Sequence, residues 1–592
     1  MKEVLYKVTF LPSQRTVTAK RGEILLDVLR RESQPVSAVC GGRGNCGKCK
    51  ALVTDGSEAF PPTLTEARLL TRDEIAAGYR LSCQFKVMTD VRVKTKDLAV
   101  DSAVSKRPLP KASIREISPQ IRLEEFSLCK PDIDDQASDY SRLMSALVTE
   151  RPGIDRLNLL RRLPHVIREL DYRGRAVMYG SEVIDLLPFS DESGIFGIAI
   201  DIGTTTLAVY LADLKSGEIV AVRSASNPQS AYGQDVISRI DYTMKRYKGI
   251  DELRAAVLAT MNKLIDDLCK ESAVPKERIY DTSIVGNTTM IHILLGISPG
   301  RIASSPFIPA FTGGKVFESR ELDLEVSIPN SKIYIMPGIS AYVGSDITAG
   351  ILSSGFAEDY GNVLLVDIGT NGEMALRSGE RIFACSTAAG PAFEGGNISH
   401  GTIARPGAVD HVWLNGKDIG FSTVNGSKAS GICGSGLIDA IAVMIDAGVV
   451  SESGRIKGEH FELEGTAGRV RINRQDIREV QLAKAAIRAG VSILMDRAGI
   501  ETRNIDRILL AGAFGNYIDP ENALRIGMLP NVPVERVSPV GNAAGLGAVL
   551  AVLDSGIRER AESLSSEIHY VELSGRKDFN EIFVENLALR EG

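Results

Sequence analysis

IAIDIGTTTLAVYLAD (198–213) and LLVDIGTNGEMALRSG (364–379) are two copies of one pattern. Each Asp-Ile-Gly-Thr tetrad, at 201–204 and 367–370, follows an apolar strand and precedes a second, alternating one. One tetrad is an ordinary turn; its recurrence with matching flanks predicts a duplicated α/β domain with two related halves. A strand-turn-strand unit of this composition suits phosphate. Gly203 tightens the turn and exposes backbone N–H groups, and Thr204, Thr205 and Thr206 add hydroxyl donors. Asp201 suits Mg²⁺ held through water, because that ion gives up its water reluctantly. The second copy offers Asp367, Gly369, Thr370, Asn371 and Gly372, with Glu373 placed to orient an attacking water. Two such hairpins facing each other would clamp a nucleotide's terminal phosphates from both sides.

Two glycine turns extend this region. ILLAGAFGNYID (508–519) runs from an apolar strand into Gly512, Ala513, Phe514 and Gly515, small enough for adenine and ribose to lie against the backbone. GICGSGLIDA (431–440) is a similar strand-to-helix turn, which adds Gly434 and Ser435 as candidates. The segment AKAAIRAGVSILM (483–495) reads as an amphipathic packing helix.

Upstream the composition changes. VLYKVTF and RTVTA form a predicted hairpin, EILLDVLRRE (23–32) a helix, KALVTDG a strand, and a further helix starts at Thr65 with Glu66 near its start. Between them lies CGGRGNCGKCK (40–50). Cys40, Cys46, Cys49 and the later Cys83 are spaced C-x5-C-x2-C-x33-C, in a chain of eight cysteines with no secretory leader pattern at its start. Four thiolates suit zinc or an iron-sulfur cluster. Zinc ribbons prefer two separated C-x2-C knuckles; a three-plus-one grouping with Gly41, Gly42, Gly44 and Gly47 between the ligands favours [2Fe-2S]. Cys129, Cys269, Cys385 and Cys433 are scattered and read as packing residues.

The 592 residues exceed one core. They divide into 1–97, a small β-grasp unit; 98–112, a proline-containing linker; 113–192, a small α/β middle domain without catalytic motif; and 193–592, the duplicated α/β region with phosphate motifs at 201–206 and 367–373. A net charge of -6 argues against a nucleic-acid partner, no run reaches membrane-span length, and the expected location is cytoplasmic.

The two phosphate motifs and Gly512–Gly515 resemble the ASKHA superfamily of actin, Hsp70, hexokinase and acetate kinase, with its ribonuclease H-like halves, and the cysteine loop resembles [2Fe-2S] ferredoxins. Over nearly its full length the chain looks like the reductive activators of corrinoid enzymes. The strings that carry this are NPQSAYGQDVISRI (227–240), VGNTTMIHILLG (285–296), DIGTNGE (367–373), TAAGPAFEGGNISHG (387–401) and LAGAFGNYID (510–519). The resemblance implies ATP-dependent one-electron reduction of Co(II) to Co(I) in a corrinoid protein of a methyltransferase system. It implies a [2Fe-2S] cluster, ATP and Mg²⁺, an upstream electron donor, and a homodimer through the ATPase domain. The stretch 386–401, with Ser386, Thr387, Asn397 and Ser399, is a candidate partner-facing surface; His292 and His400 read as structural rather than cobalt ligands. Rival readings are a small-molecule kinase with a fused ferredoxin, an activator of another low-potential or radical-type enzyme, and an actin-like or chaperone scaffold.

Overall fold

The tetrad repeat becomes two sheets of matching order. The computed structural model describes all residues except 1–3, 33, 35, 37–41, 43, 45–46, 48, 56–59, 95–116, 155, 326–330, 359–360, 417, 467–469, 513–516 and 591–592. In the first half, Phe196–Ile202, Thr206–Asp213 and Ile219–Ser226 form an antiparallel meander, and Ile279–Gly286 then Lys332–Ile335 extend it in parallel. In the second half, Val363–Ile368, Gly372–Ser378 and Arg381–Thr387 repeat the meander, with Arg507–Ala511 and Val537–Gly541 added in parallel.

These strands are near-continuous apolar runs because both of their faces are covered. Ile198, Ile200, Leu207, Val209 and Leu211 pack outward against the helices Val236–Lys245 and Gly249–Ser272. Ala199, Ala208, Tyr210 and Ala212 point instead into a core shared with Val363, Leu365, Ala375 and Ala384 of the second half. Helices Ser345–Ser353 and Ala543–Leu553 fill that shared core and cross closely: a Cβ added at Gly547 would lie 2.3 Å from the Ala349 carbonyl oxygen.

The region read as an amphipathic helix at 483–495 lies within Arg474–Ala498 and is buried on nearly every side, including Lys484 and Arg488. Their charges mimic a polar face in the sequence, but helix Lys577–Glu585 packs over this helix, and the Lys484 ammonium donates to the Ala588 carbonyl.

The N-terminal sheet has Val91–Lys94 central, parallel to Leu5–Leu11 and antiparallel to Lys50–Asp55, with Thr16–Lys20 and Tyr79–Leu81 completing five strands. Helix Leu25–Arg31 packs on it, a β-grasp arrangement. Thr63 caps helix Leu64–Leu69 in a reciprocal capping box with Glu66. The Glu66 carboxylate also accepts from Arg80 at 2.9 and 3.0 Å and from the Leu81 amide. Burial opposes its ionisation, but the Arg80 guanidinium and these donors hold it below the usual range.

Residues 98–112 lie outside the described residues. Beyond them, Ile121–Ser127, Arg173–Tyr179 and Glu182–Pro188 make an antiparallel sheet with helices Asp139–Ala146 and Leu157–Glu169 on one face. Its other face sends Ile121, Val177, Ile184 and Leu187 into the shared core, so this unit is welded to the two halves. Among the described residues no helix is long and apolar enough to cross a membrane.

Candidate nucleotide cleft and cluster site

The two hairpin turns face each other across one cleft. The hydroxyls of Thr205 and Thr370 lie 2.8 Å apart, although 165 residues separate them. Gly203 is needed at its turn, where a Cβ would come 2.6 Å from the Thr206 carbonyl oxygen. The first turn is braced from behind. Asn227 donates its amide to the Gly203 carbonyl at 2.8 Å and its backbone N–H to Thr205 at 2.6 Å, and the fully buried Arg239 donates to the Thr204 carbonyl at 2.5 Å. With its carbonyls held from behind, the turn can present N–H groups and hydroxyls to the cleft.

Glu394, which sequence reasoning missed, reaches this point from the string 387–401. Its Oε2 accepts from Thr205 at 2.5 Å and from Thr370 at 2.6 Å. Burial pushes this carboxyl up, opposed by the two threonine hydroxyls. It uses donors that a phosphate would need. Glu394→Gln removes the competing charge and is expected to tighten binding of a non-hydrolysable ATP analogue by about tenfold, roughly 1.4 kcal/mol. Isothermal titration reads this directly; unchanged or weaker binding would mean that Glu394 does not oppose the phosphate.

Deeper in the cleft lie Asp201, Asp346, Asp367 and Glu373. Burial, then repulsion from their neighbours, pushes Asp346 up to about 7 and Asp367 up to about 8. Burial alone raises Asp201 to about 6, against a hydrogen bond from Asn542 at 2.8 Å. Glu373 is raised by burial and by Asp346 and Asp367, while Asn287 donates to it at 3.0 Å. Such a donor set fits a hard divalent cation. Among the described residues no three acidic, histidine or cysteine groups converge closely enough to hold a metal ion directly. Asp346 and Asn542 carried no motif of their own; Asn542 also caps helix Ala543–Leu553, and 341 residues separate it from Asp201.

On the far side, Gly512 has φ +106°, and a Cβ there would stand 2.8 Å from the Asp367 carboxylate. Tyr517, Val540 and Gly541 continue this wall. Ala513, Phe514 and Gly515 lie outside the described residues. Gly434 and Ser435 do not reach the cleft. They start helix Gly434–Asp446, where glycine is required because a Cβ would meet the Phe393 carbonyl oxygen at 1.8 Å, and Ser435 donates to the Asp410 carbonyl.

In the N-terminal domain, Cys40 and Cys46 lie outside the described residues, while Cys49 and Cys83 are buried together. Gly42, Gly44 and Gly47 all take positive φ, between +68° and +96°, as a loop wrapped around a ligand requires. Hydrogen bonding from Cys83 outweighs burial and lowers the Cys49 thiol to about 6, a thiolate-prone site that fits a cluster ligand.

His292 is committed elsewhere: its Nδ1 meets the Thr288 carbonyl at 2.7 Å and its Nε2 accepts from the Ala310 amide. In the stretch 386–401, Thr387 is buried against Gly372, whereas Asn397 and Ser399 bond to Glu479, Asp476 and Asn473 of the second half.

Twin phosphate hairpins closing one acidic cleft, joined to a β-grasp domain with a glycine-wrapped cysteine loop, define an ASKHA-type ATPase fused to a ferredoxin-like domain. Residues 8–88 match the 2Fe-2S iron-sulfur cluster binding domain, 111–193 the RACo linker region, 196–359 the RACo middle region and 361–592 the C-terminal ASKHA domain of RACo. The corrinoid activation enzyme RamQ of Eubacterium limosum is 30% identical, over 98% of both chains. A Co(II) methylated amine-specific corrinoid protein reductase of Methanosarcina barkeri is 26% identical over 59% of this chain and 68% of its own. A solved structure described as a reductive activator for corrinoid, iron-sulfur protein aligns with 34% identity and a TM-score of 0.76, over 99% of this chain and 98% of that one. The chain belongs to the RACo family of reductive activators of corrinoid proteins.

Proposed function

We propose that this chain spends ATP to drive one-electron reduction of Co(II) to Co(I) in a corrinoid protein of a methyltransferase system. The observation that carries the reading is the facing pair Thr205 and Thr370, with the carboxylates behind it, in a chain that also carries the cysteine loop. When bound, Mg²⁺ supplies charge neutralisation at the phosphates, and a [2Fe-2S] cluster on Cys40, Cys46, Cys49 and Cys83 supplies a single low-potential electron, restored by an upstream donor.

The turns 203–206 and 369–372 bind and orient the phosphates through N–H groups and hydroxyls. Asp201 and Asp367 would hold the hydrated cation, Glu373 or Asp346 would orient the attacking water, and the turn at Gly512 would back the adenosine. ATP is needed for a thermodynamic reason. Plant-type [2Fe-2S] centres sit near about -400 mV, the Co(II)/Co(I) couple lies lower, and each ~100 mV of one-electron gap costs about 2.3 kcal/mol. Differential binding of the corrinoid protein in the nucleotide states supplies that difference. A homodimer through the ATPase domain would place two such clefts in one assembly.

The test is anaerobic: purified, cluster-loaded protein, a chemical reductant, a Co(II) corrinoid protein, with and without ATP. The Co(I) absorption band should appear only with ATP. Equal reduction without ATP, or ATP consumption with a sugar or acetate acceptor and no cobalt change, would overturn the reading.

A further inference from the structure

Arg30 belongs to the ferredoxin-like domain yet is buried in the ATPase half, with only 7% of its surface exposed. It projects from helix Leu25–Arg31, which lies beneath the cysteine loop; a Cβ at Gly42 would stand 3.9 Å from its guanidinium. Across the domain boundary its Nε donates to the Ala231 carbonyl at 2.8 Å. Its guanidinium carbon lies 5.2 Å from the ring centre of Tyr232 and 5.5 Å from that of Tyr242. Asp27 faces Arg30 at 3.3 Å on one side and Arg246 of the ATPase half at 3.9 Å on the other. Val36 adds an apolar contact shared by both cores. Burying a cation at a domain boundary is costly unless the partner surface is built for it.

That partner surface is the one that braces the phosphate turn. Asn227, Gln229 and Arg239 lie in the same segment as Ala231 and Tyr232. Asn227 and Arg239 bond to the backbone of Gly203, Thr204 and Thr205, and Arg239 also bonds to Gln229 and to the Gly233 carbonyl. One short stretch therefore touches the ferredoxin-like domain on one side and the phosphate turn on the other.

We propose that residues 227–246 form a dock for the chain's own ferredoxin-like domain, latched by Arg30, and that docking is linked to nucleotide binding through the phosphate turn. This rests on the nucleotide reading of the cleft. Linkage is reciprocal: if the latched state holds the turn in its binding form, nucleotide strengthens the latch by the factor by which the latch strengthens nucleotide binding. The position of the cluster domain thus answers to the state of the ATP site.

The test uses the full-length, cluster-loaded protein, with affinity for AMPPNP and hydrogen-deuterium exchange of helix Leu25–Arg31 as readouts. Arg30→Ala should weaken AMPPNP by about five- to tenfold, at the low end of the usual range of coupling factors. AMPPNP should slow exchange of the helix in the wild type and not in the variant. Retained visible absorption of the cluster shows that the domain still folds. Tyr232→Leu removes the platform from the other side and should give the same pair of effects, with Arg30→Lys intermediate because the planar fork is lost. If the wild type binds AMPPNP and both Arg30→Ala and Tyr232→Leu bind it equally well, the linkage is overturned while the nucleotide reading stands. If the wild type binds no AMPPNP, both fall.

Discussion

Asp367→Ala is expected to slow ATP-driven Co(I) formation by about 10²- to 10³-fold, the usual cost of removing one preorganised electrostatic contact from a reacting phosphate. Asp367 ends strand Val363–Ile368 directly opposite Glu373, and the Gly512 backbone closes over it. It is half-buried in the cleft that it shares with Asp201 and Asp346, and burial there together with repulsion from those neighbours disfavours its charge. That is a poor place for a lone carboxylate and a good one for a carboxylate that meets a hydrated divalent cation. Asp367→Asn keeps the shape and should lose nearly as much, which separates charge from packing. ATP hydrolysis should fall in parallel, while the visible absorption of the cluster stays unchanged. The pH dependence follows from the same raised value of about 8. Below it the group carries a proton that Mg²⁺ must displace, so the Mg²⁺ concentration for half-maximal ATPase should rise as pH falls from 8 towards 6. A doubly substituted Asp201→Ala, Asp367→Ala protein that reduced cobalt at the wild-type rate would remove the cleft from the mechanism.

Much of this cleft was legible because its two turns are local. A strand, a tight turn and a returning strand are adjacent in sequence, so the tetrads at 201–204 and 367–370 carry their own geometry, and duplication implied that they would face each other. The residues that were missed are those that only topology delivers. Asn542 arrives at Asp201 from the far end of the chain, Asp346 arrives at the start of a helix with no motif around it, and Glu394 comes from a loop read as partner-facing. Arg239 sat in a string that resemblance singled out, yet nothing in that string said that its side chain would fold back beneath Thr204. Gly434 was misleading for a specific reason: a glycine that admits a neighbouring carbonyl reads the same in sequence as one that admits a ligand.

The second large effect concerns the electron path, and it isolates the other half of the chain. Cys83→Ala is expected to reduce Co(I) formation to background while ATP hydrolysis persists, because the cluster needs four ligands and the cysteine loop supplies three. The turn bearing Cys83 is well placed for the fourth. It follows strand Tyr79–Leu81; the Ser82 amide donates to the Cys49 carbonyl at 2.8 Å, and the Ser82 carbonyl accepts from Leu26 at 3.0 Å. Cys83 is thereby tied to the cysteine loop and to the helix that carries Arg30. Alanine fits this buried turn without clash, so the domain should still fold, and the loss would belong to the ligand. Iron and acid-labile sulfide analysis distinguishes this from zinc, which would leave metal but no sulfide in the wild type. Cys129→Ala, at an exposed cysteine in the middle domain, is the matched control and should leave iron, sulfide and cobalt reduction unchanged. A Cys83→Ala protein that kept its iron and reduced cobalt normally would show that the electron enters by another route, and the fusion of a ferredoxin-like domain to this ATPase would need a different explanation.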